Sequence, residues 1–239
     1  MTSLTVTIHA RDGGLMPAYL AMPEPVRAAM PVVIVLQEIF GVNANIRGIA
    51  DGHAAQGRIA IAPDLFWRLR PGVDLDPSSE AAREEAMALM KRFDFAAAVG
   101  DIAGVAAYAR RLPEASGKVG AVGYCLGGKL AFLASTTGSL DAAVSYYGTG
   151  IHASIDKAGE VRCPLLLHVA LADHLCPPEA QAVLRGGFAP FADRVTIVEY
   201  PGVGHAFARR GAPSCDPPSA DRADALTRGF LQEHLAGRR

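Results

Sequence analysis

The sequence predicts an α/β fold with a mostly parallel central sheet flanked by helices on both faces. Three observations carry this. Short apolar runs alternate with helix-compatible segments along most of the chain. Pro31-Val-Val-Ile-Val-Leu36 is apolar at every position, the mark of a strand buried on both faces. A third strand-sized run, Val119–Val122, leads into Gly123-Tyr-Cys-Leu-Gly-Gly128, a glycine-rich turn followed by a helix-compatible segment.

The elements follow in order. Val6–Ala10 and Ala18–Met22 read as two short strands around the turn Arg11-Asp-Gly-Gly14. After the strand at 31–36 comes a helix over Asn45–Gln56, then a buried strand over Arg58–Pro63. Trp67–Pro77 is punctuated by Pro and Gly and reads as loop. Ser78–Arg92 and Phe95–Arg111 are rich in Ala, Glu and Arg and read as helices, with Ser79 and Asp94 as N-cap candidates. The glycine-rich turn opens a helix over Gly127–Ala134. Asp141–Tyr147, Cys163–Ala170 and Val195–Tyr200 are strands; Pro178–Gly186 and Ser219–Leu235 are helices. No linker, repeat or low-complexity tract interrupts the chain, and Pro213–Pro218 is too short to separate domains, so 1–239 reads as one domain.

Bulk composition excludes several function classes. Half of the 239 residues are hydrophobic and a fifth are charged, as in globular proteins rather than disordered ones. A formal charge of −1 supplies no field for nucleic acid and no polybasic membrane patch. The N-terminus lacks a basic segment followed by an apolar run, and no apolar stretch is long enough to span a bilayer. The four cysteines, 125, 163, 176 and 215, show neither C-x-x-C pairing nor zinc spacing. These features predict a cytoplasmic protein with reduced thiols, no metal and no cofactor.

The glycine-rich turn has the grammar of a nucleophile elbow, G-x-C-x-G-G, in which the residue between the glycines stands up from the sheet edge. The usual occupant is Ser; here it is Cys125. In α/β-hydrolases the partners follow in the order nucleophile, acid, base, each just past a strand. Asp173 follows the strand ending at Ala170, and His205 follows the strand ending at Tyr200. Cys125, Asp173 and His205 are therefore the expected triad. A thiol needs a base to become a nucleophile, His205 supplies it, and Asp173 fixes the imidazole tautomer. The N–H of Leu126 is the expected oxyanion donor, with a second donor from the loop after Leu36. Glu38 lies on that loop, on the rim where ligands bind. Cys163 and Cys176 are expected to pack as small hydrophobes and Cys215 to be a loop thiol. Histidines 9, 53, 152, 168, 174 and 234 are expected to be structural or solvated.

With Gln-Glu-Ile-Phe-Gly-Val-Asn at 37–43, Ala-Pro-Asp-Leu at 62–65, Gly-Tyr-Cys-Leu-Gly-Gly at 123–128, Asp173-His174 and Gly-His-Ala-Phe-Ala-Arg at 204–209, the chain resembles the dienelactone hydrolases over nearly its whole length. The resemblance implies an α/β-hydrolase without a large lid. It implies hydrolysis of 4-carboxymethylenebut-2-en-4-olide to maleylacetate through a thioester, a step in bacterial degradation of chlorinated aromatics. It implies that Glu38 deprotonates Cys125 when substrate arrives, giving up an ion pair with Arg83. It also makes the Ile39 N–H the second oxyanion donor and has Arg83 and Arg209 hold the substrate carboxylate. Two positions depart from the family pattern: Met87 replaces a Tyr and Ala206 replaces a Ser, so both pocket hydroxyls are lost and substrate specificity is open to change. The expected partner is a small acidic lactone or ester, and the expected assembly a monomer or small homo-oligomer. A related cysteine hydrolase for another acidic ester, or a binding or redox-sensing protein on the same scaffold, are the alternatives.

Overall fold

The computed structural model describes residues 1–27 and 29–236; residue 28 and the last three residues of the expected 1–239 domain lie outside them. Eight strands form one mostly parallel sheet flanked by helices, with strand order β1-β2-β4-β3-β5-β6-β7-β8. The chain divides into two compact units, Met1–Ala121 and Val122–Ala236.

In the first unit, β1 (Thr2–His9) and β2 (Leu15–Met22) pair antiparallel as a hairpin, with His9 opposite Leu15. Both run further than the sequence implied. The apolar alternation of the first strand begins only at Val6, because its first residues sit on an exposed sheet edge and have no face to bury. β3 (Met30–Leu36) pairs parallel with β4 (Ile59–Pro63), and Val32 lies opposite Ile59. β4 is buried at every position, as its continuous apolar run requires. Between them α1 (Ala44–Ala55) starts at Asn43, whose side chain accepts the Ile46 N–H. α2 (Glu80–Met90) and α3 (Phe95–Ala109) are capped by Ser79 and Asp94, which accept from the N–H groups of Ala82 and Ala97. An ionic knot ties the loop after β4 to α3: the buried Asp101 accepts from the Trp67 indole at 2.9 Å and from Arg68 through Nε at 3.0 Å and Nη2 at 2.7 Å.

β5 (Ala115–Tyr124) crosses from the first unit into the second and delivers the glycine-rich turn. In the second unit, α4 (Leu126–Ser135) packs on β6 (Ala142–Tyr146), and β6, β7 (Leu165–Ala170) and β8 (Val195–Tyr200) run parallel. α5 (Pro178–Phe188) follows β7, and α6 (Pro217–Leu235), capped by Asp216, packs on β6 and β7. Two 3-10 helices were not legible in the sequence, a single turn over Ala189–Phe191 and a longer one over His152–Glu160, kinked at Ser154. The longer one runs for only about three turns and buries only Ala158, so no periodic signal marks it. Among the described residues no helix is long and apolar enough to cross a membrane.

Candidate active site

Three strand ends of the second unit carry the residues of the expected triad. β5 ends at Tyr124, and α4 begins one residue later, so Cys125 must turn the chain alone. It does so at φ 54°, ψ −113°, a region that side chains rarely occupy. The Cys125 N–H donates to Tyr146 O at 3.0 Å, and Cys125 O accepts from Gly128 at 3.0 Å and Thr149 at 3.2 Å. The turn is possible only because glycines flank it. A Cβ on Gly123 would lie 1.9 Å from Gly127 O, and one on Gly128 would lie 2.7 Å from Gly148 Cα. The Leu126 N–H, at the first turn of α4, has no acceptor within its own helix and lies where a helix terminus favours negative charge.

Asp173 and His205 take up the places the strand ends give them. Asp173 is buried beyond β7; its Oδ1 accepts the Leu175 N–H at 2.8 Å, and its Oδ2 lies 2.8 Å from His205 Nδ1. A carboxylate on Nδ1 fixes a hydrogen there and turns Nε2 outward as the working nitrogen. Nε2 is buried without a hydrogen-bond partner. Burial alone would lower the His205 pKa, but Asp173 and Cys125 outweigh it and raise it to about 10.

Two residues at this site carry no sequence signal. The Tyr147 ring packs edge-on against His205 with centroids 5.1 Å apart, at the unusual φ of 39°. Tyr146 supplies the carbonyl that receives the Cys125 N–H. Both sit at the end of an ordinary apolar strand, and nothing in the pattern separates them from core aromatics. His174 is solvent-exposed on the rim, 3.9 Å from Asp173 Oδ1. Arg209 is half-buried, and its N–H donates to Ala206 O at 2.9 Å in the turn that follows His205. Ala206 is buried at φ 63°.

The first unit carries the other expected site residues. Glu38 is buried on the loop after β3, and Ile39 beside it is half-buried. The loop is stitched down by its neighbours: Gln37 Oε1 accepts the Leu65 N–H at 3.0 Å, Leu75 N–H donates to Phe40 O at 3.0 Å, and Val42 N–H to Val73 O at 3.1 Å. Arg83 and Met87 lie one turn apart on the exposed side of α2, where Met87 is 50% exposed. The ion pair of Arg83 with Glu38 is not formed. Arg83 instead uses Nη1 to reach two carbonyls of the segment leading into its own helix, Pro77 O at 2.8 Å and Ser78 O at 3.1 Å. Its Nε and Nη2 make no other hydrogen bond among the described residues, which leaves one flat edge of the guanidinium for a ligand.

All four cysteines are free, and burial pushes Cys163 up to about 12 and Cys176 up to about 11, so both pack as small hydrophobes.

A strand-to-helix elbow with acid and base on the next strand ends is the site of an α/β-hydrolase. Comparison with known proteins narrows the class. The model of the dienelactone hydrolase family matches residues 16–235. The carboxymethylenebutenolidase of Pseudomonas putida is 40% identical over 227 residues, covering 95% of this chain and 94% of the relative. Carboxymethylenebutenolidase 1 of Cupriavidus pinatubonensis is 36% identical, covering 97% of each. A solved Klebsiella pneumoniae structure, provisionally described as a dienelactone hydrolase, superposes with a TM-score of 0.85 at 27% identity, covering 97% of this chain and 98% of that one. The chain belongs to the dienelactone hydrolase family, and it is a hydrolase of the carboxylic-ester class.

Proposed function

We propose that the protein opens a small, unsaturated, carboxylate-bearing lactone, the dienelactone that yields maleylacetate, with Cys125 as nucleophile. The observation that carries this reading is the triad geometry: Cys125 at its positive-φ elbow, the 2.8 Å bond of Asp173 to His205 Nδ1, and a buried Nε2 without a partner. The names of the similar proteins from Pseudomonas putida and Cupriavidus pinatubonensis support the substrate class.

The steps follow from the groups. Cys125 Sγ, as thiolate, attacks the lactone carbonyl carbon, and the carbonyl oxygen becomes an oxyanion held by the Leu126 N–H, with the Ile39 N–H as second donor. The C–O bond of the ring breaks, and the leaving oxygen takes the proton from His205 Nε2. That leaves a thioester. Water then gives a proton to His205 and attacks the thioester carbon; the C–S bond breaks and the acid is released. Asp173 keeps the imidazole oriented throughout. Glu38 takes part in activating the thiol. Arg83, through its open edge, and Arg209 hold the substrate carboxylate.

The reading extends to the molecule as a whole. A single family model spanning both compact units supports one domain over 1–239. Residence in the cytoplasm suits four free thiols.

Two measurements test the proposal. Turnover is followed on a panel of dienelactone isomers and neutral aryl esters, with and without prior iodoacetamide treatment. The reading requires acidic lactones to be preferred and alkylation of Cys125 to abolish turnover. Full activity after stoichiometric labelling of Cys125 removes the thiol from the mechanism. The alkylation rate also separates two ways of activating it. Slow labelling that speeds up with an acidic analogue bound assigns the proton to Glu38. Fast labelling unchanged by the analogue means a standing pair with His205 and excludes Glu38.

A further inference from the structure

Behind the elbow, four buried side chains from β6, β7, β8 and α6 are linked in a chain through the Thr227 hydroxyl. Thr227 Oγ1 lies 2.9 Å from His168 Nε2 and 2.7 Å from the Tyr146 phenol. His168 Nδ1 lies 2.9 Å from the Tyr200 phenol, and the Tyr146 phenol lies 3.1 Å from Asp224 Oδ1. Tyr146, His168, Tyr200 and Thr227 are all buried, whereas Asp224 reaches the surface and pairs with Arg210 at 2.6 Å.

Only one placement of hydrogens satisfies all four contacts. A carboxylate accepts only, so Tyr146 must donate to Asp224 and has no second hydrogen. Thr227 must therefore donate to Tyr146, which leaves its oxygen to accept from His168. His168 then carries its hydrogen on Nε2, and its bare Nδ1 accepts from Tyr200. The titration states agree. Burial and then the Arg222 charge lower the His168 pKa to about 3, so the ring is neutral with a single N–H. Burial raises Tyr146 and Tyr200, so both phenols keep their hydrogens. The charged groups around the chain are Arg222, whose guanidinium lies 5.3 Å from the Tyr200 ring centroid, and Asp221, Asp224 and Arg210 at the surface end.

The chain reaches the triad through the backbone carbonyls of Tyr146 and His168. Tyr146 O receives the Cys125 N–H, and His168 O receives the N–H of Tyr147, whose ring packs on His205. The Tyr146 ring is also stacked on Tyr124, the residue before the nucleophile, at 4.7 Å. Cys125, Tyr147 and Ala206 are three of the four described non-glycine residues with positive φ. Such strain persists only where the surroundings over-determine it.

We propose that Thr227 is a positioning residue for the catalytic elbow: its hydroxyl is the hub of a one-way hydrogen-bond chain, Tyr200 to His168 to Thr227 to Tyr146 to Asp224, that holds Tyr146 and His168 where their carbonyls set Cys125 and Tyr147. The proposal rests on the hydrolase reading for its kinetic readout but not for its other two.

In the wild-type protein at pH 7, long-range proton–nitrogen NMR should show His168 neutral with its hydrogen on Nε2. Thr227→Val removes the hub at nearly constant shape; kcat should fall about tenfold with KM within about twofold, as a small misplacement of the reacting group predicts. Iodoacetamide labelling of Cys125 in the free enzyme should slow in parallel, and Thr227→Ser should restore both. Where Thr227→Val does not fold, Tyr146→Phe breaks the next link and should give the same split. An Nδ1–H tautomer, a folded Thr227→Val with wild-type kcat and labelling, or a Thr227→Ser as impaired as Thr227→Val would each overturn the proposal. If no substrate of the panel turns over, the hydrolase reading fails by itself, and the tautomer and labelling rate still decide the role of Thr227.

Discussion

The two compact units hold their site residues in opposite ways. In the second unit Cys125, Asp173 and His205 follow the ends of β5, β7 and β8, each buried or nearly so and each held by short hydrogen bonds. In the first unit the buried Glu38 sits on a loop stitched to other loops, while Arg83 and Met87 lie on the exposed side of a helix. The contrast matches the two demands on an enzyme. Bond-making groups must be held to within a fraction of an ångström, so strand ends suit them. Groups that select the substrate can sit on exposed or loop positions that vary without disturbing the core.

The comparison can be broken by experiment. Cys125→Ala should abolish turnover and leave the fold intact, since one small buried atom is lost; Cys125→Ser should retain little activity, because a hydroxyl is far harder to deprotonate than a thiol. Steady-state kinetics with circular dichroism decide it, and wild-type rates from Cys125→Ala would remove the second unit from the chemistry.

Asp173→Asn should come next, lowering kcat by about 10³–10⁴-fold, as the loss of the fixed tautomer does in other triads. A drop of less than tenfold would show that His205 is oriented by something else, Tyr147 being the nearest candidate.

A smaller effect is expected from the first unit. Arg83→Ala should raise KM for acidic lactones far more than for neutral aryl esters, by the equivalent of about 1.5–3 kcal/mol for a charge-assisted contact. Arg209→Ala, in the second unit, should do the same. Equal effects on both substrate types would mean that Arg83 serves only to hold the Pro77 and Ser78 carbonyls.

The last prediction concerns stability rather than turnover. Each unit buries one neutral histidine, His53 and His168, and burial lowers both to about 3. An unfolded histidine titrates near 6.5, so the unfolded chain binds more protons between those values. Stability is then lost as pH falls from about 6.5 towards 3. His205 works the other way: raised to about 10, it contributes fully below about 6.5, and that contribution is lost as pH rises towards 10. Calorimetric Tm values across this range should peak near the middle, and His53→Gln should flatten only the acid limb. An unchanged acid limb would assign acid lability to His168 and the second unit alone.

How much of this was legible in the sequence differs between the units for the same physical reasons. β3, β4 and the elbow could be read because strands buried on both faces need continuous apolar runs and a tight elbow needs glycine at both flanks. The order Cys125, Asp173, His205 followed from strand ends alone, and the Asp173–His205 bond agrees with it. The N-caps Ser79 and Asp94 were equally local and equally legible.

What sequence could not reach depends on where side chains far apart in the chain come to rest. Nothing local at Thr227 announces two hydrogen bonds to residues 59 and 81 positions earlier. Nor does the pattern reveal that Arg83 would turn to its own loop carbonyls, because a flexible side chain takes whichever acceptor the folded backbone leaves nearest. Local patterning thus determined the buried strands and the elbow, since each is set by burial period or by steric demand within a few residues. Tertiary structure alone decided the hydrogen-bond chain behind the elbow, the tautomer of His168 and the partners of Arg83, since each is a choice among acceptors that only folding brings within reach.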